Sequence, residues 1–351
     1  MKDSKHIPAL DGLRGVAAVC VVLSHANNMG IFSFMGHFGV AVFFALSGFL
    51  MAFLYGRRSL TAGNAFSYAV SRFARIAPLY LCVILASWLI RTHIDGHFIN
   101  DINNHNLLRH LLFSGSEGVF WSIPPEVQFY GFFLFVWWAV FAARARDYRA
   151  ALIAAGLTLL MLAVNFIHPL PGTLLPSKLP FFLLGAGAGL SRDWLERQPV
   201  REWLMTALQG ALLLAASFYA RCLYGFEHDA EVMYRSALFP LLCAMTVLAF
   251  SLPTRLSLDV FGNKYMRLLG AWSFAIYLLH QPCLYWAGNI QAAFHLMPGA
   301  GFVLGGIFTL ALSASSRVIL ERPAQRYLKA WSERTSGTGS YQPDGRLGAA
   351  S

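Results

Sequence analysis

About ten apolar stretches of membrane-crossing length follow one another along this 351-residue chain, and no other feature limits its fold so sharply. A helix needs roughly 20 residues to cross about 30 Å of hydrocarbon, and only helices or closed barrels satisfy all backbone polar groups there. The stretches run from 11 to 28, 38 to 55, 76 to 92, 122 to 142, 150 to 167, 173 to 190, 203 to 220, 235 to 252, 268 to 287 and 300 to 318. Hydrophobic residues make up 57% of the chain and charged ones only 13%, against about 25% charged in soluble domains. The expected fold class is therefore all-α, a polytopic integral membrane helix bundle with about ten transmembrane helices. The first stretch follows a polar start, ends without a small-residue cleavage pattern and is soon followed by a second, so it is expected to stay as a helix.

Basic residues set the orientation, because short cytoplasmic loops carry the positive excess. With the N-terminus inside, only Arg91, Arg109, Lys178, Arg221 and Arg235 of the 27 basic residues fall outside. The expectation is N-in/C-in. The net charge of +10 is spread over every inner loop, as topology signals and contacts to anionic lipid. It forms no compact basic domain of the kind that binds nucleic acid. Cys20, Cys82, Cys243 and Cys283 fall in spans and Cys222 at an outer edge, with no CxxC pair, which argues against a disulfide framework or a zinc site. The outer loop from about 93 to 120 is expected to hold a short helix near 106 to 113. Its His93, His97, His105 and His110 match no ligand spacing and read as a solvated loop, so no metal is expected. Residues 1–330 read as one membrane domain and the Gly/Ser-rich 331–351 as a disordered cytoplasmic tail.

Charged groups inside apolar helices are costly and usually mark a site. Arg14 and His25 share the first stretch, and eleven residues of helix separate them by roughly 16 Å on about the same face. Arg72 and Arg75, three apart, share a face at the start of the third stretch, where Pro78 suits a first turn. Glu126 follows Pro124 and Pro125 in the first turn of the fourth, with Ser122 as its expected N-cap. Ser273, Tyr277 and His280 line one face of the ninth. The ionisable groups thus segregate, with Arg14, Arg72 and Arg75 toward the cytoplasm and His25, Glu126 and His280 toward the outer half. Guanidinium groups pair bidentately with phosphate. An imidazole beside a carboxylate can take a proton from a hydroxyl. The separation of roughly 16 Å is close to the reach of an extended pantetheine arm, about 15 to 20 Å.

The chain resembles the type 3 membrane acyltransferases. The likeness rests on LDGLRGVAA with the Arg14-x10-His25 spacing, FGVAVFFALSGFL at 38 to 50, RFARIAPLY at 72 to 80, WSIPPEVQFY at 121 to 130, SFAIYLLHQP at 273 to 282 and ERP at 321 to 323, and it covers about residues 7 to 327. The resemblance implies an O-acyltransferase of the bacterial inner membrane that moves an acyl group, acetyl by default, from cytoplasmic acyl-CoA to a carbohydrate or glycolipid acceptor. Acyl-CoA is then a substrate, with no permanently bound cofactor, and glycan-assembly proteins are possible partners. Residue by residue it implies His25 as the catalytic histidine with Arg14 completing its motif, and Glu126 as the glutamate that orients or charges His25. Arg72 and Arg75 are expected to hold the donor, and the small residues Ser47 and Gly48 to make room for its thioester. Ser122, Tyr277 and His280 are further polar candidates. Ile123 and the double proline depart from the family's usual stretch after Trp-Ser. Direct transfer and a covalent relay through His25 or Ser47 both fit these residues. The alternative is a transporter or flippase of a glycolipid or small acid using the same polar groups, against which stands the lack of paired broken helices in matching halves.

Overall fold

The computed structural model describes residues 6–25, 32–227 and 230–336, and every regular element among them is helical. Helices α1 (Pro8–Ser24), α2 (Ser33–Tyr55) and α3 (Ala62–His93) lead into a loop that carries the short α4 (Leu107–Leu111) and a 3-10 turn (Gly118–Ser122). Next come α5 (Ile123–Arg144), α6 (Tyr148–Ile167), α7 (Leu175–Glu196), α8 (Glu202–Glu227), α9 (Ala230–Arg235) and α10 (Leu238–Phe250). A π-helical turn (Leu256–Phe261) precedes α11 (Lys264–Ala293), and another (Arg317–Glu321) joins α12 (Ala300–Ser316) to α13 (Arg322–Ser336).

Six helical segments among the described residues are long and apolar enough to cross a membrane: Ser33–Tyr55, Ala62–His93, Gly118–Arg144, Tyr148–Ile167, Glu202–Gly225 and Ala300–Thr335. The other four expected spans are helical but differ in kind. Helices α1 and α10 are short, at 17 and 13 residues. Helices α7 and α11 are interrupted by polar and small residues, and the cause is packing: Ser177, Lys178, Gly185 and Gly189 of α7 and Gly270, Ser273 and His280 of α11 are buried against neighbouring helices.

Lipid tails are as apolar as leucine, so helices in a bilayer associate through close packing of small residues. A Cβ on Gly48 would lie 2.0 Å from the carbonyl oxygen of Phe182, one on Gly185 2.2 Å from that of Ala45, and one on Gly189 2.4 Å from that of Phe49. Helices α2 and α7 therefore touch backbone to backbone. Gly48, expected beside the donor, is instead a packing residue, buried against α7. Helices α1 and α11 meet in the same way, since a Cβ on Gly270 would lie 1.9 Å from the carbonyl oxygen of Asp11.

Helix α3 begins well before the expected residue 76. The Thr61 side chain caps it, accepting from the Asn64 N–H at 3.2 Å. Pro78 is thus a mid-helix proline, and Arg72 and Arg75 lie several turns inside. Its 32 residues extend about 48 Å at 1.5 Å each, more than a bilayer core needs. The surplus at the Ala62 end supports α13, where the Phe66 and Trp331 rings pack 5.5 Å apart. That helix carries the chain as far as Ser336, so the first residues of the expected tail are helical, and 337–351 lie outside the described residues.

The loop after α3 is less open than its composition suggests. His110 is fully buried on α4, its Nε2–H donates to Glu117, and the Tyr80 hydroxyl donates to the His110 carbonyl at 3.0 Å. Among the described residues no three His, Cys, Asp or Glu side chains are grouped to hold a metal, and all five cysteines are free thiols.

Candidate active site

Helices α1, α2, α3, α5 and α11 surround a small cavity lined by Arg14, Ser47, Arg75, Ser122, Glu126, Ser273 and Tyr277. Pro124 and Pro125, buried at the start of α5, place Glu126 in its first turn, and the carboxylate turns toward α2. Oε1 of Glu126 accepts from the Ser47 hydroxyl at 2.8 Å and from the Tyr130 hydroxyl at 2.7 Å. Arg14 and Arg75 reach the same cavity half-buried, neither is ion-paired with a described carboxylate, and Nε of Arg14 is buried without a partner. Two fixed positive charges against one carboxylate make this chamber suited to an anion.

Arg72 does not join them. Its guanidinium lies 5.8 Å from the centre of the Tyr55 ring, donates to the Ser71 hydroxyl at 3.2 Å and lines a separate cleft between α3 and α5. Ser122 does not cap α5 either. Its hydroxyl stands 2.8 Å from that of Tyr277, which donates to the Val119 carbonyl at 2.7 Å, so Ser122 is the donor of the pair.

His25 is the residue that ends α1, and its exposed ring opens on two other cavities. One is walled by Ser24, His37, Trp121, Tyr224, Tyr277 and Gln281, while the other includes Tyr285 and Gln291. Carbonyl partners settle the tautomers here. Nδ1 of the fully buried His280 lies 2.8 Å from the Tyr277 carbonyl and 3.1 Å from that of Ile276, so it must carry the proton and leave Nε2 as an acceptor. That Nε2 is 3.3 Å from Nδ1 of His25, which is itself 2.9 Å from the Val21 carbonyl. A third neighbour of Nδ1, the Ser24 hydroxyl at 3.1 Å, gives its own proton to the Val21 carbonyl at 2.7 Å, so all three neighbours accept, Nδ1 is protonated, and the lone pair of His25 sits on Nε2. The imidazole is thereby oriented by His280 and a backbone carbonyl. Glu126, expected to do this, is engaged in the arginine cavity.

Val40 and Tyr277 line both the arginine cavity and the histidine cavity walled by Trp121 and Tyr224, and form their common wall. Nothing in the sequence marks Val40, one apolar residue in an apolar run. Tyr130 carried a usable signal, four residues after Glu126 on one helix face. Lys178 also goes beyond its sequence role as an outer-loop charge. It is wholly buried, 3.3 Å from Glu231 and 3.7 Å from the centre of the Tyr234 ring, behind the aromatic wall that Trp121 gives the histidine cavity. A lysine just inside α7 was the clue.

Comparison with known proteins adds independent findings. Protein 2 in the picA locus of Rhizobium radiobacter is 37% identical over 94 residues, 25% of this chain and 48% of that protein. The peptidoglycan O-acetyltransferase OatA of Listeria monocytogenes is 24% identical over 318 residues, 80% of this chain and 50% of OatA. The acyltransferase MdmB of Streptomyces mycarofaciens is 25% identical over 323 residues, 78% of each chain. The match spans about half the length of each of the first two relatives. No solved structure matches the chain. Residues 7–318 match a family described as an acyltransferase domain, nearly the whole chain, and it belongs to that type 3 acyltransferase family.

Proposed function

We propose that the protein is an inner-membrane O-acyltransferase, oriented N-in/C-in, that takes an acetyl group from cytoplasmic acyl-CoA and places it on a carbohydrate hydroxyl. The observation that carries this reading is the pair of chambers sharing Tyr277, one with two unpaired guanidinium groups and the other with an imidazole presenting a free Nε2. Arg14 and Arg75 bind the anionic donor, and its pantetheine arm brings the thioester toward the common wall. The acceptor enters beside Trp121 and Tyr224, whose rings give a sugar face an apolar platform. Nε2 of His25 takes the hydroxyl proton, the oxygen attacks the thioester carbonyl, the C–S bond breaks, and the departing thiolate recovers the proton. General-base help of this kind contributes roughly 10² to 10⁴ in rate, with positioning supplying more. Glycan-assembly proteins are the natural source of the acceptor.

The Ser47 hydroxyl hydrogen-bonded to the Glu126 carboxylate supports a second route, in which Ser47 is acylated first. Mass spectrometry of protein incubated with acetyl-CoA alone separates the two, since direct transfer leaves Ser47 unmodified.

The central test uses the purified full chain with acetyl-CoA and an unacetylated glycan, following release of coenzyme-A thiol. Acceptor-dependent release that disappears in His25→Ala supports the enzyme. Normal release by that variant overturns the assignment of His25, and uptake of substrate into vesicles without thiol release identifies a transporter.

A further inference from the structure

The cleft between α3 and α5 is lined by Tyr68, Phe73, Ile76, Phe113, Tyr130 and Gly131 among others, with Arg72 as the one charged residue in its wall. Such a surface is complementary to an amphiphile with an anionic head and an apolar tail. Nε of Arg72 is buried with no hydrogen-bond partner, a costly state that an acceptor oxygen would relieve. Phe73, 52% exposed, stands at the mouth, so the cleft opens outward from the bundle, while Ile76 and Tyr130 lie between it and the arginine cavity.

Depth agrees with charge. Counting roughly 20 residues back from His93, the length that crosses about 30 Å, brings the hydrocarbon boundary of α3 to about residue 74. Arg72 is then at headgroup level, and the cleft runs from it past Ile76 into the hydrocarbon. The Arg58 and Arg72 guanidinium groups both lie near the Tyr55 ring, 5.2 and 5.8 Å from its centre, and neither is paired with a described carboxylate. That local positive field disfavours a zwitterionic head with its own cation.

We infer that this cleft holds one chain of an anionic membrane phospholipid, with its phosphate on Arg72. The inference needs only that the chain spans a bilayer and does not rest on the acyl-transfer reading. Lipid in the cleft would also steady Tyr130, whose ring lines it and whose hydroxyl binds Glu126.

The test uses the full chain purified from nanodiscs of equal phosphatidylglycerol and phosphatidylcholine, with retained lipid counted by native mass spectrometry. One phosphatidylglycerol is expected to remain preferentially. Arg72→Gln removes the head contact. Gly131→Leu fills the cleft from a position where an added Cβ meets nothing within 4 Å, so it tests the site without disturbing packing. Each variant should lower retention by about tenfold, the equivalent of one charge-assisted hydrogen bond or more. Equal retention of phosphatidylcholine, or retention unchanged in both variants, overturns the inference. Displacement of the lipid by palmitoyl-CoA also overturns it, since the cleft would then belong to the acyl chain of a donor.

Discussion

The arginine cavity and the histidine cavity share α1, α2 and α11, yet they handle charge in opposite ways. In the first, Arg14 and Arg75 are left unpaired and the carboxylate of Glu126 is satisfied by two hydroxyl groups. Beside the second, His25 and His280 hydrogen-bond to each other and to the carbonyls of Val21, Ile276 and Tyr277. Guanidinium is charged at any reachable pH, whereas imidazole changes state near neutrality. A permanent charge suits recognition and a switchable one suits reaction, so under the proposed function the difference separates holding a donor from activating an acceptor.

The harshest way to break this comparison is His25→Ala. Transfer should fall by about 10³ while acetyl-CoA binding, measured by calorimetry, is kept; loss of binding would show that the chambers are not separate in function. Arg75→Gln should do the reverse, raising KM for acetyl-CoA by about 10- to 100-fold, the worth of a hydrogen bond to a charged group, with KM for the acceptor unchanged. A parallel rise in both constants would dissolve the distinction.

Tyr277→Phe tests the common wall. Removing the hydroxyl that links Ser122 to the Val119 carbonyl costs about 1 kcal/mol and should raise acceptor-independent hydrolysis of acetyl-CoA roughly fivefold, read as thiol release without glycan. The smallest effect concerns the loop that leads into that wall. Burial holds the His110 imidazole below its ordinary 6.5, against the pull of Glu117. Burial would raise the Glu117 carboxyl, but the Ser116 N–H and His110 outweigh it and hold the group below its ordinary 4.5. Both groups favour their deprotonated forms in the fold, so their stabilisation is present above the ordinary values and is lost as pH falls through the depressed ones. Amide exchange in residues 107–117, corrected for intrinsic rate, should quicken on acidification; a flat profile would detach this loop from the wall.

The sequence made the charged residues legible because a charge in an apolar run stands out whatever surrounds it. Arg14, His25, Arg75 and Glu126 all line cavities. Their partners were harder to read. Periodicity gives the depth of a side chain and its position on its own helix, but not the direction in which that helix is turned. Glu126 was matched by depth to His25, and its rotation about α5 brings it to Ser47, 79 residues away in sequence. His25 and His280, 255 residues apart, meet only because α1 packs on α11. The early start of α3 is hard to read because SYAVSR is polar, and only Thr61, a capping residue type, marks it. Gly48 shows the same limit, since a small residue can line a channel or admit a neighbouring backbone, and here Phe182 decides.

The glycine contacts also govern what can move. Helices α2 and α7 are keyed together at Gly48, Gly185 and Gly189, and α1 is keyed to α11 at Gly270, so neither pair can slide without a backbone collision. The common wall itself leans on the five-residue 3-10 turn Gly118–Ser122, which begins at a glycine with φ of 53° and supplies both hydrogen-bonding partners of the Tyr277 hydroxyl. Opening of the wall would have to bend this turn, carry the fully buried Phe120 with it and break the hydrogen bonds of Tyr277, inside a frame of helices that stays still.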